Sequence, residues 1–148
     1  MSKLIVHTDG GARGNPGPAA VGFLILDEVG SQLASGGKTI GVATNNEAEY
    51  KAVIAALEYL VANKHLINNG DIKQKRELEL RMDSLLIASQ LEKKYKIKEP
   101  RLKELAAACW RLFDQLDIKY HIIHIPRAQN AAADALVNQA LDEQAAQN

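Results

Sequence analysis

The chain's hydrophobic period first changes at Thr44, and that switch limits the folds open to it. Lys3 to Asp9 alternates apolar and polar residues and is rich in Ile and Val. Glycines and prolines follow at Gly10, Gly11, Gly14, Pro16, Gly17 and Pro18. Ala20 to Asp27 reads as a second strand, and Gln32 to Ile40, beyond a turn at Val29-Gly30-Ser31, as a third. From Thr44 the apolar residues Val53, Ala56, Leu57, Leu60 and Val61 recur at helical spacing instead. Thr44 with Glu47 three residues later forms a capping box that starts this helix, which the pattern carries to about Asn68-Asn69-Gly70.

Beyond that point strands and helices alternate. Leu78, Leu80 and Met82 alternate with charged residues as a fourth strand, and Ser84 to Leu91 is a short helix. A helix from Pro100 to about Gln115, a strand from Ile118 to Ile125 and a helix from Asn130 to Ala145 complete the order β-β-β-α-β-α-α-β-α. Antiparallel strands followed by helix-connected ones predict a five-stranded mixed sheet in a three-layer α/β fold, since a helical connection returns the chain parallel to an earlier strand. At 148 residues the expectation is one domain over 1–148, with its core in 2–142.

Composition enters through what it excludes. The 18 Lys and Arg residues balance 18 Asp and Glu, so contact with a phosphate polymer has to come from a local patch. The most basic stretch is 93–104, where Lys93, Lys94, Lys96, Lys98, Arg101 and Lys103 face only Glu99 and Glu104. No apolar run approaches the roughly 18 residues of a membrane span, and Met1-Ser2-Lys3 leads straight into a strand, so the expectation is a cytoplasmic protein with no membrane segment. A single Cys109 allows neither an intrachain disulfide nor a cysteine zinc site and reads as a buried thiol. His121 and His124 fall on opposite faces of a strand, and His7 and His65 stand alone, so no histidine metal pair is expected.

Four acids fall where acids are seldom found. Glu49 lies on the apolar stripe of its helix, four residues before Val53, and Asp134 does the same three residues before Val137. Asp9 and Asp83 sit at the C-terminal ends of two strands, the edge at which α/β sheets bind ligands. Taken singly, Asp83 could be a helix cap, Asp9 a turn former, and the two helix acids partners of a helix dipole. A tilt of the Glu49 helix across the sheet would gather all four. Clustered carboxylates repel unless cations neutralise them, and an oxygen-only set favours Mg²⁺ or Mn²⁺ over zinc.

Four motifs, T-D-G-G-A-R-G-N-P-G-P-A (Thr8 to Ala19), T-N-N-E-A-E-Y (Thr44 to Tyr50), M-D-S (Met82 to Ser84) and P-R-A-Q-N-A-A-A-D-A-L (Pro126 to Leu136), resemble the type 1 ribonuclease H family in order and over nearly the whole chain. The resemblance implies an endonuclease that cuts the RNA strand of an RNA–DNA hybrid with two divalent metals, Mg²⁺ with Mn²⁺ as a substitute. It places the metal-binding carboxylates at Asp9, Glu49, Asp83 and Asp134. Asp9 would bridge, Glu49 and Asp83 complete one site, and Asp134 hold the metal that activates water. Asn15 and Asn46 match hybrid-contacting positions, and Thr44 with Asn45 match positions near the DNA phosphates. Gly10 and Gly11 would let the RNA strand approach closely, with Ala12, Arg13 and Asn130 in the same substrate-contacting set. Lys94 and Lys96 would meet the DNA strand.

Many members of the family carry a histidine in the loop before the last helix. Here Arg127 is its nearest counterpart, as in a Pro-Arg branch, and a phosphate contact is its expected role. Glu47 occupies a place where some members have a phosphate-gripping Arg. The expected partner is the hybrid alone, with the protein a monomer. Two other readings stay open: a nuclease preferring double-stranded RNA or junction DNA, and a non-catalytic nucleic-acid-binding module.

Overall fold

The computed structural model describes residues 2–68 and 74–147. Its sheet runs in the order β3-β2-β1-β4-β5, with β1 (Lys3–Ala12), β2 (Gly17–Asp27), β3 (Gln32–Ala43), β4 (Glu77–Met82) and β5 (Tyr120–His124). β1 to β3 form an antiparallel meander, and β4 and β5 add in parallel on the other side of β1. The helices are α1 (Asn45–Ala62), α2 (His65–Asn68), α3 (Leu85–Leu91), α4 (Pro100–Leu116) and α5 (Ala131–Gln147). This is the mixed sheet expected from the periodicity, with the short α2 added to the expected helix order.

Alternation along β1 separates the layers. A Cβ on Gly10 would point at Ala48 of α1, whereas one on Gly11 would point at Val137 of α5, so even-numbered residues face α1 and odd-numbered ones face α5. The α1 side holds the main core, with Leu4, Val6, Leu57, Leu60, Leu78 and Leu80 fully buried. Each such Leu contributes about 1.5–3 kcal/mol by leaving water. On the other face α5 lies over β2 and β3, with Val137 and Leu141 packed on Ala20.

Several boundaries shift for local reasons. β1 continues through Gly10 and Gly11 to Ala12 because β2 keeps pairing with it as far as Ala12 and Ala19. β3 likewise runs on to Ala43. α1 starts at the expected cap: Thr44 Oγ1 accepts from the Glu47 amide and the Glu47 carboxylate accepts from the Thr44 amide. It stops at Ala62, because Asn63 leaves the helical region at φ −133° and its side-chain amide donates to the Tyr59 carbonyl at 2.8 Å. Leu66 and Ile67 then resume in α2, so the apolar pattern runs across the break. Asn69 and Gly70, where that helix was expected to end, lie outside the described residues. The last helix begins at Ala131, after a 3₁₀ turn from Arg127 to Asn130. Cys109 is fully buried, and burial pushes its thiol up to about 12.

Candidate active site

The ladder between β1 and β4 ends at the pair His7 and Arg81. Asp9 and Asp83 stand two residues further along their strands, at the split where two parallel strands part. Such a split at the carboxyl ends of strands is the usual binding crevice of an α/β sheet. Asp83 leaves β4 without becoming a helix cap, because the Ser84 hydroxyl takes that role by accepting from the Ile87 amide.

Two glycines let helices press their acids into this split. The Gly10 amide donates to Glu49 Oε1 at 2.9 Å, and a Cβ on Gly10 would sit 2.1 Å from the Ala48 carbonyl oxygen. On the opposite face a Cβ on Gly22 would meet the Ala133 carbonyl at 2.7 Å, so the turn of α5 that carries Asp134 lies directly on β2. Glycine at position 10 therefore serves the seating of α1, and its backbone also lines the cavity at the acids, where the RNA strand was expected to approach.

Carboxylate oxygens of Asp9, Glu49 and Asp83 lie within 4.8 Å of one another. Asp9 and Glu49 are nearly buried. Asp134 stands outside that trio and lines the same cavity, of about 370 Å³, together with Asn46, Ser84, Arg127 and Asn138. Asn138 Nδ2 donates to Asp134 Oδ2 at 3.3 Å, one helical turn on. Burial raises the Asp9 carboxyl to about 7, against a hydrogen bond from Glu49 and with the charges of Asp83 and Asp134 adding to the rise. Burial also raises Glu49, to about 9, with the Asp9 charge adding to it and the Gly10 amide opposing. Among the described residues no Lys or Arg forms a salt bridge with any of the four acids. An acidic, oxygen-only trio lacking a protein counter-charge fits a hard divalent cation, with Asp9, Glu49 and Asp83 as its holders and Asp134 at the margin.

The remaining expected site residues divide by what they touch. Gly11, Ala12, Arg13, Asn45, Asn46 and Arg127 line the acid cavity. Arg13 already pairs with Asp142 at 2.6 Å. Asn15, Asn45 and Ala12 form a staple: Asn15 Oδ1 accepts from the Asn45 amide, and Asn45 Oδ1 accepts from the Ala12 amide, both at 2.9 Å. These bonds fasten the β1–β2 turn to the start of α1. The Thr44 hydroxyl accepts from the Glu47 amide in the cap, which leaves its own hydrogen to donate. Glu47 combines capping with an ion pair to Arg101 at 3.3 Å.

Asn130 departs most from its expected role. It is 1% exposed, so it cannot reach substrate, and its amide bonds inward to Thr8, Asp83 and His7. Lys94 and Lys96 lie outside the acid cavity, in a separate groove with Tyr95, Lys103 and Trp110. Trp110 is half-buried: its indole donates to the Leu91 carbonyl at 3.0 Å, and Lys93 Nζ lies 4.7 Å over its ring. Sequence reasoning missed Asn138 and His7. Both were within reach of spacing alone, Asn138 four residues from Asp134 on a helix and His7 two residues from Asp9 on a strand.

Comparison with known proteins agrees with this geometry. The Reverse transcriptase-like family matches residues 7–140. Ribonuclease HI of Halobacterium salinarum is 43% identical over 141 residues, covering 95% of this chain, which spans 65% of that relative's length. Ribonuclease H of Ehrlichia ruminantium is 32% identical, with 92% of each chain covered. Among solved structures, LC11-RNase H1 in complex with RNA/DNA hybrid superposes with a TM-score of 0.85 at 45% identity, covering 96% of this chain and 99% of that one. With the order of elements, the acidic split and these matches in agreement, the chain belongs to the type 1 ribonuclease H family.

Proposed function

We propose that this chain is an endonuclease that hydrolyses the RNA strand of RNA–DNA hybrids, with Mg²⁺ held by Asp9, Glu49, Asp83 and Asp134. The observation that carries the reading is the trio of carboxylates gathered within 4.8 Å at the sheet split, in a cavity whose rim also offers Asn46 and Arg127. Two ions with substrate bound, or Mn²⁺ in their place, would supply an activated water, relief of phosphate charge and stabilisation of the leaving oxygen.

The chain's own contribution is placement. The Gly10 amide fixes one Glu49 oxygen and leaves the other for a ligand. Asn46 and the exposed Arg127 stand where they can hold phosphate oxygens of the cut strand, Arg127 through a charge-assisted, two-pronged contact. The staple between Asn15 and Asn45 keeps the β1–β2 turn at the rim, where backbone and amide groups can meet 2′-hydroxyls and so distinguish RNA from DNA. Lys94 and Lys96 would follow the DNA strand at a distance from the acids. All four acids come from one chain, so a single-domain monomer would hold a complete site; action in the cytoplasm on the hybrid, without a protein partner, is part of the same proposal.

The test is a panel of matched RNA–DNA, RNA–RNA and DNA–DNA duplexes, labelled on either strand and incubated with Mg²⁺, Mn²⁺ or chelator. The reading expects metal-dependent cutting of the RNA strand of the hybrid. Cutting of RNA–RNA in preference, or binding with no cutting of any duplex, would replace it with one of the other two readings.

A further inference from the structure

The buried amide of Asn130 has three partners, and together they determine which of its atoms is nitrogen. One amide atom lies 2.8 Å from the Thr8 carbonyl oxygen and 3.2 Å from Asp83 Oδ2. The Thr8 carbonyl can only accept, so the atom facing it is the NH₂ group, whose second hydrogen is directed to Asp83 Oδ2. The other amide atom is then Oδ1, and it stands 3.2 Å from His7 Nδ1. An oxygen there can only accept, so His7 Nδ1 must carry a hydrogen. Turned over, the amide would set an oxygen against the buried Thr8 carbonyl, an arrangement with no hydrogen to share and a full desolvation penalty.

We infer that His7 is a positioning residue for the acid cluster: its Nδ1–H locks the Asn130 amide in the one orientation that ties the Thr8 carbonyl to Asp83 across the split between β1 and β4. The bond fixes Asp83 Oδ2 and, through Thr8, the backbone that carries Asp9. His7 itself faces the same side of β1 as Asp9 and touches neither acid in the hydrogen-bond pattern. Its influence on them runs through Asn130. Partners that orient a metal-binding carboxylate typically change metal affinity by about 10–100-fold when removed. The inference rests on the proposed function in one respect, that Asp83 is a cation ligand.

Two measurements test it. In the cation-free wild-type protein at pH 8, ¹⁵N NMR of the imidazole should show the hydrogen on Nδ1 of His7, with slowly exchanging Asn130 amide protons. Mg²⁺ binding, followed by calorimetry rather than by cleavage, should weaken about tenfold in Asn130→Ala and about three- to tenfold in His7→Phe, which keeps a ring but loses the donor. His7→Asn should restore affinity to within about twofold, because its Nδ2 is as many bonds from Cβ as His Nδ1. In the Asn130→Ala background His7→Phe should cause no further loss. A bare Nδ1 in the wild type, an unchanged affinity in His7→Phe, or an equal loss with and without Asn130 would overturn the inference. Should the wild-type protein bind no Mg²⁺ at all, the cation reading of the site fails, and the tautomer measurement still decides the role of His7.

Discussion

The Gly10 amide donates to Glu49 Oε1 at 2.9 Å, and this one bond joins the packing of the protein to its acid cluster. Glu49 belongs to the buried face of α1, and only a backbone without a side chain at position 10 lets that helix come near enough for the carboxylate to reach the sheet split.

Gly10→Ala should therefore disturb fold and site together. Its methyl group would need to displace the Ala48 carbonyl, a rigid part of α1, since the two atoms would otherwise be 2.1 Å apart. Overpacking of this kind costs about 1–3 kcal/mol or more. Thermal unfolding should register a loss in that range, accompanied by a fall in hybrid cleavage. A variant as stable and as active as the wild type would show that α1 is not held where the Gly10 bond places it.

Glu49→Gln separates the two roles. The amide oxygen can still accept from Gly10, and its NH₂ group stands in for the proton that the Glu49 carboxyl, raised to about 9, still holds at pH 8. At pH 8 without divalent cations, stability should hold or rise. Cleavage should fall by more than the roughly 10–100-fold that changes beyond the ligands themselves produce. Unfolding curves and hybrid cleavage rates from one preparation check both halves.

The raised carboxyls of Asp9 and Glu49 make stability depend on pH. Their folded values, about 7 and about 9, exceed the ordinary carboxyl range near 4, so the folded state holds more protons between pH 4 and 9. Stability from these groups is complete below about pH 4 and is lost as pH rises through 7 and then 9. Mg²⁺ competes with those protons. The rise in unfolding temperature on adding Mg²⁺ should thus be larger at pH 8.5 than at pH 5.5. Equal rises at both values would contradict cation binding at the raised acids.

Lys94 and Lys96 sit apart from the acids, so neutralising them should change binding rather than chemistry. With Lys94→Gln and Lys96→Gln combined, the slope of log affinity against log salt should shrink by about 0.7–0.9 for each lost phosphate contact. Cutting at saturating hybrid should stay near the wild-type rate. An unchanged slope would remove this groove from the nucleic-acid surface.

How much of this was legible in the sequence follows from the range of each signal. The period switch at Thr44 and the capping box are local, and both appear in the structure where the residues put them. An acid on an apolar stripe is also a local anomaly, which is why Glu49 and Asp134 stood out before any fold was known. The exact partition of roles was not legible, because it depends on contacts over long sequence separations. Asn130 reads as a polar loop residue, yet 122 residues of separation from Thr8 close into a buried hydrogen bond. Gly10 reads as a place for a ligand to approach, and the close neighbour that the sequence did not reveal is the carbonyl of Ala48. The break at Asn63 was hidden because apolar residues resume in α2 on the helical pattern.

The central claim is that the acids at the sheet split hold the cations that cut RNA in a hybrid, and Asp9→Asn tests it most directly when hybrid binding and RNA-strand cleavage are measured in the same Mg²⁺ buffer. The substitution keeps size and removes one charge from the cluster. The account predicts hybrid affinity close to wild type with cleavage abolished. Cleavage at near the wild-type rate would contradict it.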